Sequence, residues 1–511
     1  MFPSYKWGKA IFAGMRTKQP KDCLDFLLFR EKNMLAKDCE TTLVNFNDYS
    51  VPSTSERLHA DSNMRGRGVT IAFLDSGFYP HPDLGDRIAA YIDLGEETQD
   101  LNPHANRNGW NWHGMMTSVS ACGDGSLSGG RYRGLASEAK VVLIKCSRNG
   151  MICDDLILKG LHWVRDNAAK YHINILNISV GSDFDPKELN CEISQASEEL
   201  VSNGILVIAA AGNTRTLPRP PANAPSVLTV GGCVSRNACT PEEAELYCSS
   251  YGVILDLVVK PEIIAPAAWV AAPILPGTVQ YKRAQYCYDL AVTSGGPLLN
   301  LLSEVPEGVG LPDNLYQLSR EELTKKLDKW LLDDKVVGRH YQHVDGTSFA
   351  APTVAAIAAQ MLEANPQLTP AAIRQIFMST ADRVNGKDLL AQGCGIVNAS
   401  RAVEQAHEAW THDQICELRP PLVLDGKLSF IFVNYFAKKV ELMGDFNDWT
   451  PHQYYFHEMF DGTWKVEIDA PPPGRYRYKF RVDEKDWFED PANLYRKPNV
   501  WGSYDSILNI A

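Results

Sequence analysis

No stretch of this 511-residue chain runs for eighteen apolar residues, so nothing in it predicts a membrane-spanning helix. The first residues, Met1-Phe-Pro-Ser-Tyr-Lys-Trp-Gly-Lys, lack the apolar core and small-residue cleavage site of a secretory leader. Positive charge is in deficit: 50 Lys and Arg stand against 62 Asp and Glu, a net charge of −12. That balance argues against a nucleic-acid partner and gives no attraction to anionic lipid. The twelve cysteines never fall at metal-ligand spacing. Cys146 and Cys233 follow apolar stretches and read as buried small hydrophobes. Unpaired thiols without a leader predict a cytoplasmic, reducing location, with export by another route and disulfide formation left open. Apolar content of 45% and charged content of 22% are those of an ordinary soluble globular protein.

What is present is a set of polar residues in informative settings. Asp345-Gly-Thr-Ser-Phe-Ala-Ala-Pro352 puts a serine at the start of a helix-forming stretch, where the dipole favours developing negative charge. A serine hydroxyl needs a base within reach, and the base needs a group to orient it. Val69-Thr-Ile-Ala-Phe-Leu-Asp75 reads as a buried strand delivering an acid to its carboxyl end, the functional end of a parallel sheet. Asn111-Trp-His-Gly-Met-Met-Thr-Ser118 places His113 at the head of a packed helix. Asp75, His113 and Ser348 are thus candidate acid, base and nucleophile, in the chain order of subtilisin.

These three segments resemble the signature blocks of the subtilisin-like serine proteases. Further blocks agree: Leu176-Asn-Ile-Ser-Val-Gly-Ser182, Ile205-Leu-Val-Ile-Ala-Ala-Ala-Gly-Asn213, Pro225-Ser-Val-Leu-Thr-Val-Gly231 and Lys260-Pro-Glu-Ile-Ile-Ala-Pro266. The resemblance implies an α/β fold, a parallel sheet with helices on both faces, and an endopeptidase working through an acyl-enzyme. It makes Asn213 an oxyanion donor, and Ser179, Val180, Gly181 and Gly212 the substrate-binding positions, with an extended protein or peptide substrate added as a strand. No cofactor is required for that chemistry. Asp83 matches a calcium-ligand position of the family, so a structural calcium is an open expectation; one carboxylate is not a site for an ion that takes six to eight oxygens. The chain departs from the family in Met115-Met116 after His-Gly, in Ala267 where a glycine is usual, and in a long insertion at about 270–340. Ser319-Arg-Glu-Glu322 in that insertion is a capping box predicting a helix through Leu332. The insertion reads as a lid or partner surface, or equally as a surface excursion.

The organisation expected is an extension over 1–60 that could serve as a short prosegment, with an amphipathic stretch at 24–35; a protease domain over 61–410; a Pro-containing linker over 411–426; and a β-rich module over 427–511. Alternating runs such as Ser429–Val433, Val440–Met443 and Arg475–Val482, separated by Asp461-Gly462 and Pro473-Gly474, predict a small β-sandwich. Gly444-Asp-Phe-Asn-Asp-Trp449, Asp461-Gly-Thr-Trp464, Tyr478-Lys-Phe480, Trp487 and Asp490-Pro491 resemble the glycogen-binding module of isoamylases and of the β subunits of AMP-activated kinase. The resemblance implies α-glucan, such as glycogen, as a partner, held by Trp449, Lys479 and Trp487. Asp505 stands where an asparagine is usual, and Trp501 adds a ring nearby. Two readings follow: a serine endopeptidase tethered to glucan, or an idle or inhibited protease fold acting as a carbohydrate-binding scaffold.

Overall fold

The structure is a computed structural model. It describes residues 51–60, 63–95, 111–185, 191–254, 258–312, 315–407, 421–424, 426–434, 437–460, 463–493 and 495–510. The expected helix at 24–35, most of the 1–60 extension, most of the linker and the Asp461-Gly462 turn lie outside these residues.

Seven parallel-paired strands form the central sheet: β1 (Thr70–Asp75), β2 (Ile88–Asp93), β3 (Lys140–Lys145), β4 (Ile173–Ile178), β5 (Leu206–Ala210), β6 (Leu228–Val234) and β7 (Ile263–Pro266), in the order β7-β6-β5-β4-β1-β3-β2. A short segment, Glu245–Leu246, pairs antiparallel with β6. The two-residue period of a strand sends alternate side chains to opposite faces. Ile71 and Phe73 enter the core beneath one helical layer, Ala72 and Leu74 the core beneath the other. The first layer holds α1 (Trp112–Cys122) and the second α2 (Asp154–Tyr171) and α3 (Glu192–Ser202). Burial on both faces explains why β1 has no polar residue between Thr70 and Asp75.

The insertion contains α4 (Val279–Val292), α5 (Gly295–Ser303) and α6 (Arg320–Asp333). The capping box forms as its spacing predicts: Glu322 N–H donates to Ser319 Oγ (3.3 Å) and Ser319 N–H to Glu322 Oε2 (2.9 Å). Leu323, Leu327 and Leu331 then face Leu290, Leu298 and Leu302 in a separate apolar core. The unit hangs from an antiparallel hairpin of β8 (Val270–Pro273) and β10 (Tyr341–Val344), extended by β9 (Val336–Gly338). Strand β8 packs on α1. The chain leaves β10 directly into α7 (Thr347–Ala364), an alanine-rich helix buried almost all round, followed by α8 (Pro370–Thr380) and α9 (Ala399–His407). Thr369 caps α8, and Pro370 occupies a first-turn position where its missing N–H costs nothing.

The C-terminal module is a sandwich-like pair of antiparallel sheets: β11 (Leu422–Leu424), β12 (Lys427–Val433), β15 (Thr463–Asp469) and β14 (His457–Phe460) in one; β13 (Val440–Gly444), β16 (Gly474–Val482), β19 (Tyr504–Ile510) and β18 (Arg496–Pro498) in the other, with β17 (Asp486–Phe488) on β16. Phe430, Phe432, Trp464, Tyr478 and Phe480 fill the space between. Polar contacts join the module to the protease domain. Arg383 pairs with Glu489 at 2.5 Å, Arg496 Nη1 donates to Cys394 Sγ at 2.8 Å, and Tyr504 Oη donates to the Leu389 carbonyl. Among the described residues no helix is long and apolar enough to cross a membrane.

Two histidines in this frame are buried with Nε2 unbonded, His81 and His343. Burial pushes both down to about 4. A histidine kept neutral in the fold but charged in the unfolded chain destabilises as pH falls from about 6.5 toward about 4. By pH 4.5 each should have cost about 2–3 kcal/mol. Asp83, raised by burial, acts in the opposite sense and trims the loss. Thermal melts between pH 7 and 4.5 should show a fall that His81→Asn or His343→Asn reduces. Melts in which neither variant changes the acid dependence would exclude this origin.

Candidate active site

Three loops leave the carboxyl ends of adjacent parallel strands on one edge of the sheet, where ligands bind in such folds. Asp75 ends β1, Ser179–Gly181 follow β4, and Gly212-Asn213 follow β5. Hydrogen-bonded strand pairing stops at Ile178, which leaves Ser179–Gly181 outside the sheet's ladder. Val180 is buried and Gly181 exposed.

His113 sits in the first turn of α1, brought against β1 by Gly114. A Cβ there would lie 2.4 Å from the Gly77 carbonyl oxygen, so only glycine lets the helix come this close. His113 Nδ1 is 2.7 Å from Asp75 Oδ1. A carboxylate only accepts, so Nδ1 carries the proton and Nε2 is left as the base. Asp75 is fully buried and held by Ser76 N–H (2.6 Å) and Thr117 Oγ1 (3.0 Å). Burial alone would depress the His113 pKa, but the Asp75 charge and hydrogen bond outweigh it, and the net shift is upward.

Ser348 lies in the first turn of α7, behind Gly346, whose φ of 142° is a conformation L side chains rarely adopt. Four residues on, Pro352 has no N–H to offer the Ser348 carbonyl. Ser179 Oγ donates to that carbonyl instead (3.0 Å), and Ser348 Oγ donates back to the Ser179 carbonyl (3.4 Å). In this rotamer the hydroxyl is not bonded to the imidazole; His113 and Phe349 are ring neighbours at 5.8 Å. Such bonds are often loose before substrate arrives.

Asn213 is exposed, and its orientation is fixed. Thr347 N–H and Oγ1 both donate to Asn213 Oδ1 at 3.0 Å, while Thr347 Oγ1 also accepts from Gly212 N–H (3.1 Å). The amide Nδ2 therefore faces away from Thr347. Among the described residues neither it nor the Ser348 N–H has a protein acceptor. The structure thus brings Asp75, His113, Ser348, Asn213, Ser179 and Gly212 into one network or its immediate neighbourhood. Sequence reasoning missed Thr117 and Thr347. Thr117 sits four residues after His113 on one helix face, which is a legible signal; Thr347 is legible only once Asn213 is known to be adjacent.

Met115 and Met116 are core residues. Ala267 is accommodated by Gly232, where any Cβ would lie 2.3 Å from the Ala267 methyl. Asp83 does not fit a cation site. Ser126 Oγ (2.9 Å) and Leu127 N–H (3.1 Å) donate to one carboxylate oxygen and Tyr341 Oη to the other. Three donors stand where ligand oxygens would be needed, and no group of three or more His, Cys, Asp or Glu side chains suited to a metal occurs among the described residues.

In the module, Trp449 and Trp487 lie with ring centroids 6.3 Å apart at 46°, and Trp487 is 45% exposed. Trp449 is half-buried, its Nε1–H held by Asp445 Oδ1 (2.9 Å). Lys479 differs from the expectation. It is 4% exposed, and its ammonium donates to Ser503 Oγ (2.7 Å) with Glu489 at 3.8 Å. The loop 499–503 covers it and also engages Asp505, through Asn499 Nδ2 at 2.7 Å. The same loop carries Trp501, 87% exposed.

A catalytic-type acid–histidine pair, a serine at a helix N-terminus and an oriented carboxamide on one sheet edge define a serine protease fold of the subtilisin class, and residues 66–395 match the Subtilase family. The chain belongs to that family and is a subtilisin-like serine protease, a hydrolase. Residues 424–499 match Carbohydrate-binding module 48 (Isoamylase N-terminal domain). Among its relatives is the serine protease AprX of Bacillus subtilis, 29% identical over 372 residues, spanning 69% of this chain and 71% of that one. M-protease of Shouchella clausii is 25% identical over 377 residues, spanning 72% and 73%. A solved structure, fervidolysin from Fervidobacterium pennivorans, aligns at a TM-score of 0.46 with 19% identity over 82% of this chain and 53% of that one.

Proposed function

We propose that this protease cleaves peptide bonds through an acyl-enzyme on Ser348. Ser348 Oγ swings from the Ser179 carbonyl to His113 Nε2, which takes its proton as the oxygen attacks the scissile carbonyl. The substrate lies extended along Ser179, Val180 and Gly181. Asn213 Nδ2 and the Ser348 N–H receive the oxyanion, helped by the α7 dipole. His113 passes the proton to the leaving amine, and a water activated by the same nitrogen releases the acyl group. Asp75 holds the ring's tautomer and stabilises the imidazolium.

The observation that carries this reading is the 2.7 Å Asp75–His113 contact beside an Asn213 whose carbonyl is pinned by Thr347. A fluorophosphonate probe tests it. One adduct on Ser348, lost in His113→Ala, is expected; a folded chain that stays unlabelled, or is labelled elsewhere, would reject it.

We further read the module as an α-glucan tether working through Trp449 and Trp487. Indole faces cover sugar C–H surfaces well, and this pair is open to solvent while Lys479 is withdrawn. The wild type should be retarded in glycogen-containing gels, and Trp487→Ala should run as it does without glycogen. A wild type that shows no retardation removes the claim.

A further inference from the structure

The turn that carries Ser348 is tied down residue by residue. The Ser348 carbonyl is held by Ser179, Thr347 is held by Asn213 and Gly212, and Gly346 N–H donates to the Ala267 carbonyl (2.7 Å). Asp345 is the fourth residue of this run. It has no part in the proposed chemistry, yet both of its carboxylate oxygens are engaged. Oδ1 accepts the Trp269 N–H at 3.0 Å, and Oδ2 pairs with the Lys335 ammonium.

The two donors come from the neck and the interior of the insertion. Trp269 immediately precedes β8, and Lys335 lies between α6 and β9. The hairpin places Lys335, whose carbonyl accepts the His343 N–H (2.8 Å) two residues before Asp345. Both donors have left-handed backbone, with φ of 60° at Trp269 and 50° at Lys335. For a residue as bulky as tryptophan that is uncommon. Such conformations persist where the surroundings over-determine them, and they gather at functional sites. At Trp269 the surroundings are specific. Arg57 Nη1 donates to its carbonyl (3.2 Å), the Arg236 guanidinium lies 4.3 Å over its ring, and His343 meets the ring edge-on at 5.7 Å. The N–H aimed at Asp345 is thus fixed from several sides.

We propose that Asp345 is a positioning residue for the nucleophile, and that Lys335 is the side chain through which the insertion acts on the reaction. Asp345 touches neither substrate nor reacting atoms. It holds the entry to α7, and with it the Ser348 hydroxyl, the Ser348 N–H and, through Thr347, the Asn213 amide, in one frame. Without the carboxylate the turn keeps its bonds to Ala267 and Asn213 but loses its side-chain tie to the insertion. Nucleophile and oxyanion donors work only when aligned with the same carbonyl, and a misplacement of about 1 Å costs about a hundred-fold in rate. The proposal rests on Ser348 being the nucleophile, as read above.

The test measures fluorophosphonate labelling rates and peptide kinetics on the full chain, each per folded molecule as read from thermal melts. Asp345→Ala should label Ser348 about a hundred-fold more slowly and lose kcat by the same factor, with KM unchanged. Lys335→Ala should fall between that variant and the wild type, and Lys335→Arg should restore most of the rate. The double variant should be no slower than Asp345→Ala alone, because the lysine acts through that carboxylate. The ascending pH limb should not move, since the Asp75–His113 pair is untouched. Variants that melt lower but label at the wild-type rate, a rise in KM alone, a shifted pH limb, or losses that multiply in the double variant would each overturn the proposal. A wild type that stays unlabelled overturns the acyl-enzyme reading and this proposal together; a labelled wild type matched by its variants overturns this proposal alone. Should Asp345→Ala fail to fold, the two Lys335 variants decide, at a side chain 41% exposed.

Discussion

Replacing Ser348 with alanine is expected to lower kcat on a peptide substrate by about a million-fold, the scale of the subtilisin triad. The argument is local. The serine hydroxyl is the single nucleophile of the proposed route, and no other hydroxyl replaces it: Ser179 Oγ is committed to the Ser348 carbonyl and Thr347 Oγ1 to Asn213 and Gly212. The fold should be indifferent to the change. Ser348 is half-buried, and the bond lost is a 3.4 Å contact to the Ser179 carbonyl, worth under about 1 kcal/mol. Peptide affinity should also persist, because the edge at Ser179–Gly181 and the Asn213 amide remain. A residue about a thousand-fold above the uncatalysed rate should survive from binding and the oxyanion donors alone. Single-turnover kinetics with equilibrium binding separate these quantities. A variant that keeps wild-type turnover, or loses binding in parallel with rate, would show that Ser348 is not the nucleophile.

Much of this was legible before any coordinates. Asp75, His113 and Ser348 stand out because each is a polar residue at a place the pattern marks: the end of an all-apolar strand, the head of a small-residue helix, the turn into an alanine-rich one. The β-rich module was legible from period-two alternation, as in Tyr476, Tyr478 and Phe480 packing into the core while Arg475 and Arg477 are exposed. What pattern cannot give is the partner of a polar atom across long sequence separation. Lys479 fits a ligand role by motif, yet a loop more than twenty residues away covers it. Asp83 fits a cation ligand by motif, yet Tyr341, from the far side of the insertion, donates into its carboxylate. The Ser179 bond to the Ser348 carbonyl belongs to the same class, since its cause is a proline four residues beyond the acceptor.

Asp75→Asn is expected to reduce kcat/KM by about ten-thousand-fold and to move the His113 titration downward. The carboxylate lies 2.7 Å from Nδ1 in a fully buried position, so its charge acts on the ring with little screening by water. Two donors, Ser76 N–H and Thr117 Oγ1, hold its oxygens, and an asparagine can keep both because the threonine hydroxyl can turn and accept. Geometry should therefore survive while the charge is lost. The loss acts on the imidazolium that must form as Ser348 attacks. It also removes the two influences that lift the His113 pKa, leaving burial, which lowers it. Neutral His113 is the working form, so the ascending limb of kcat/KM should lie above the ordinary imidazole value of about 6.5 in the wild type. In the variant it should shift to lower pH even as the plateau collapses. NMR titration of the His113 ring in a Ser348→Ala background reads the same shift without needing activity. A limb that stays put, or rises, would mean that Asp75 does not govern this imidazole, and the acid–base half of the proposed mechanism would have to be reassigned.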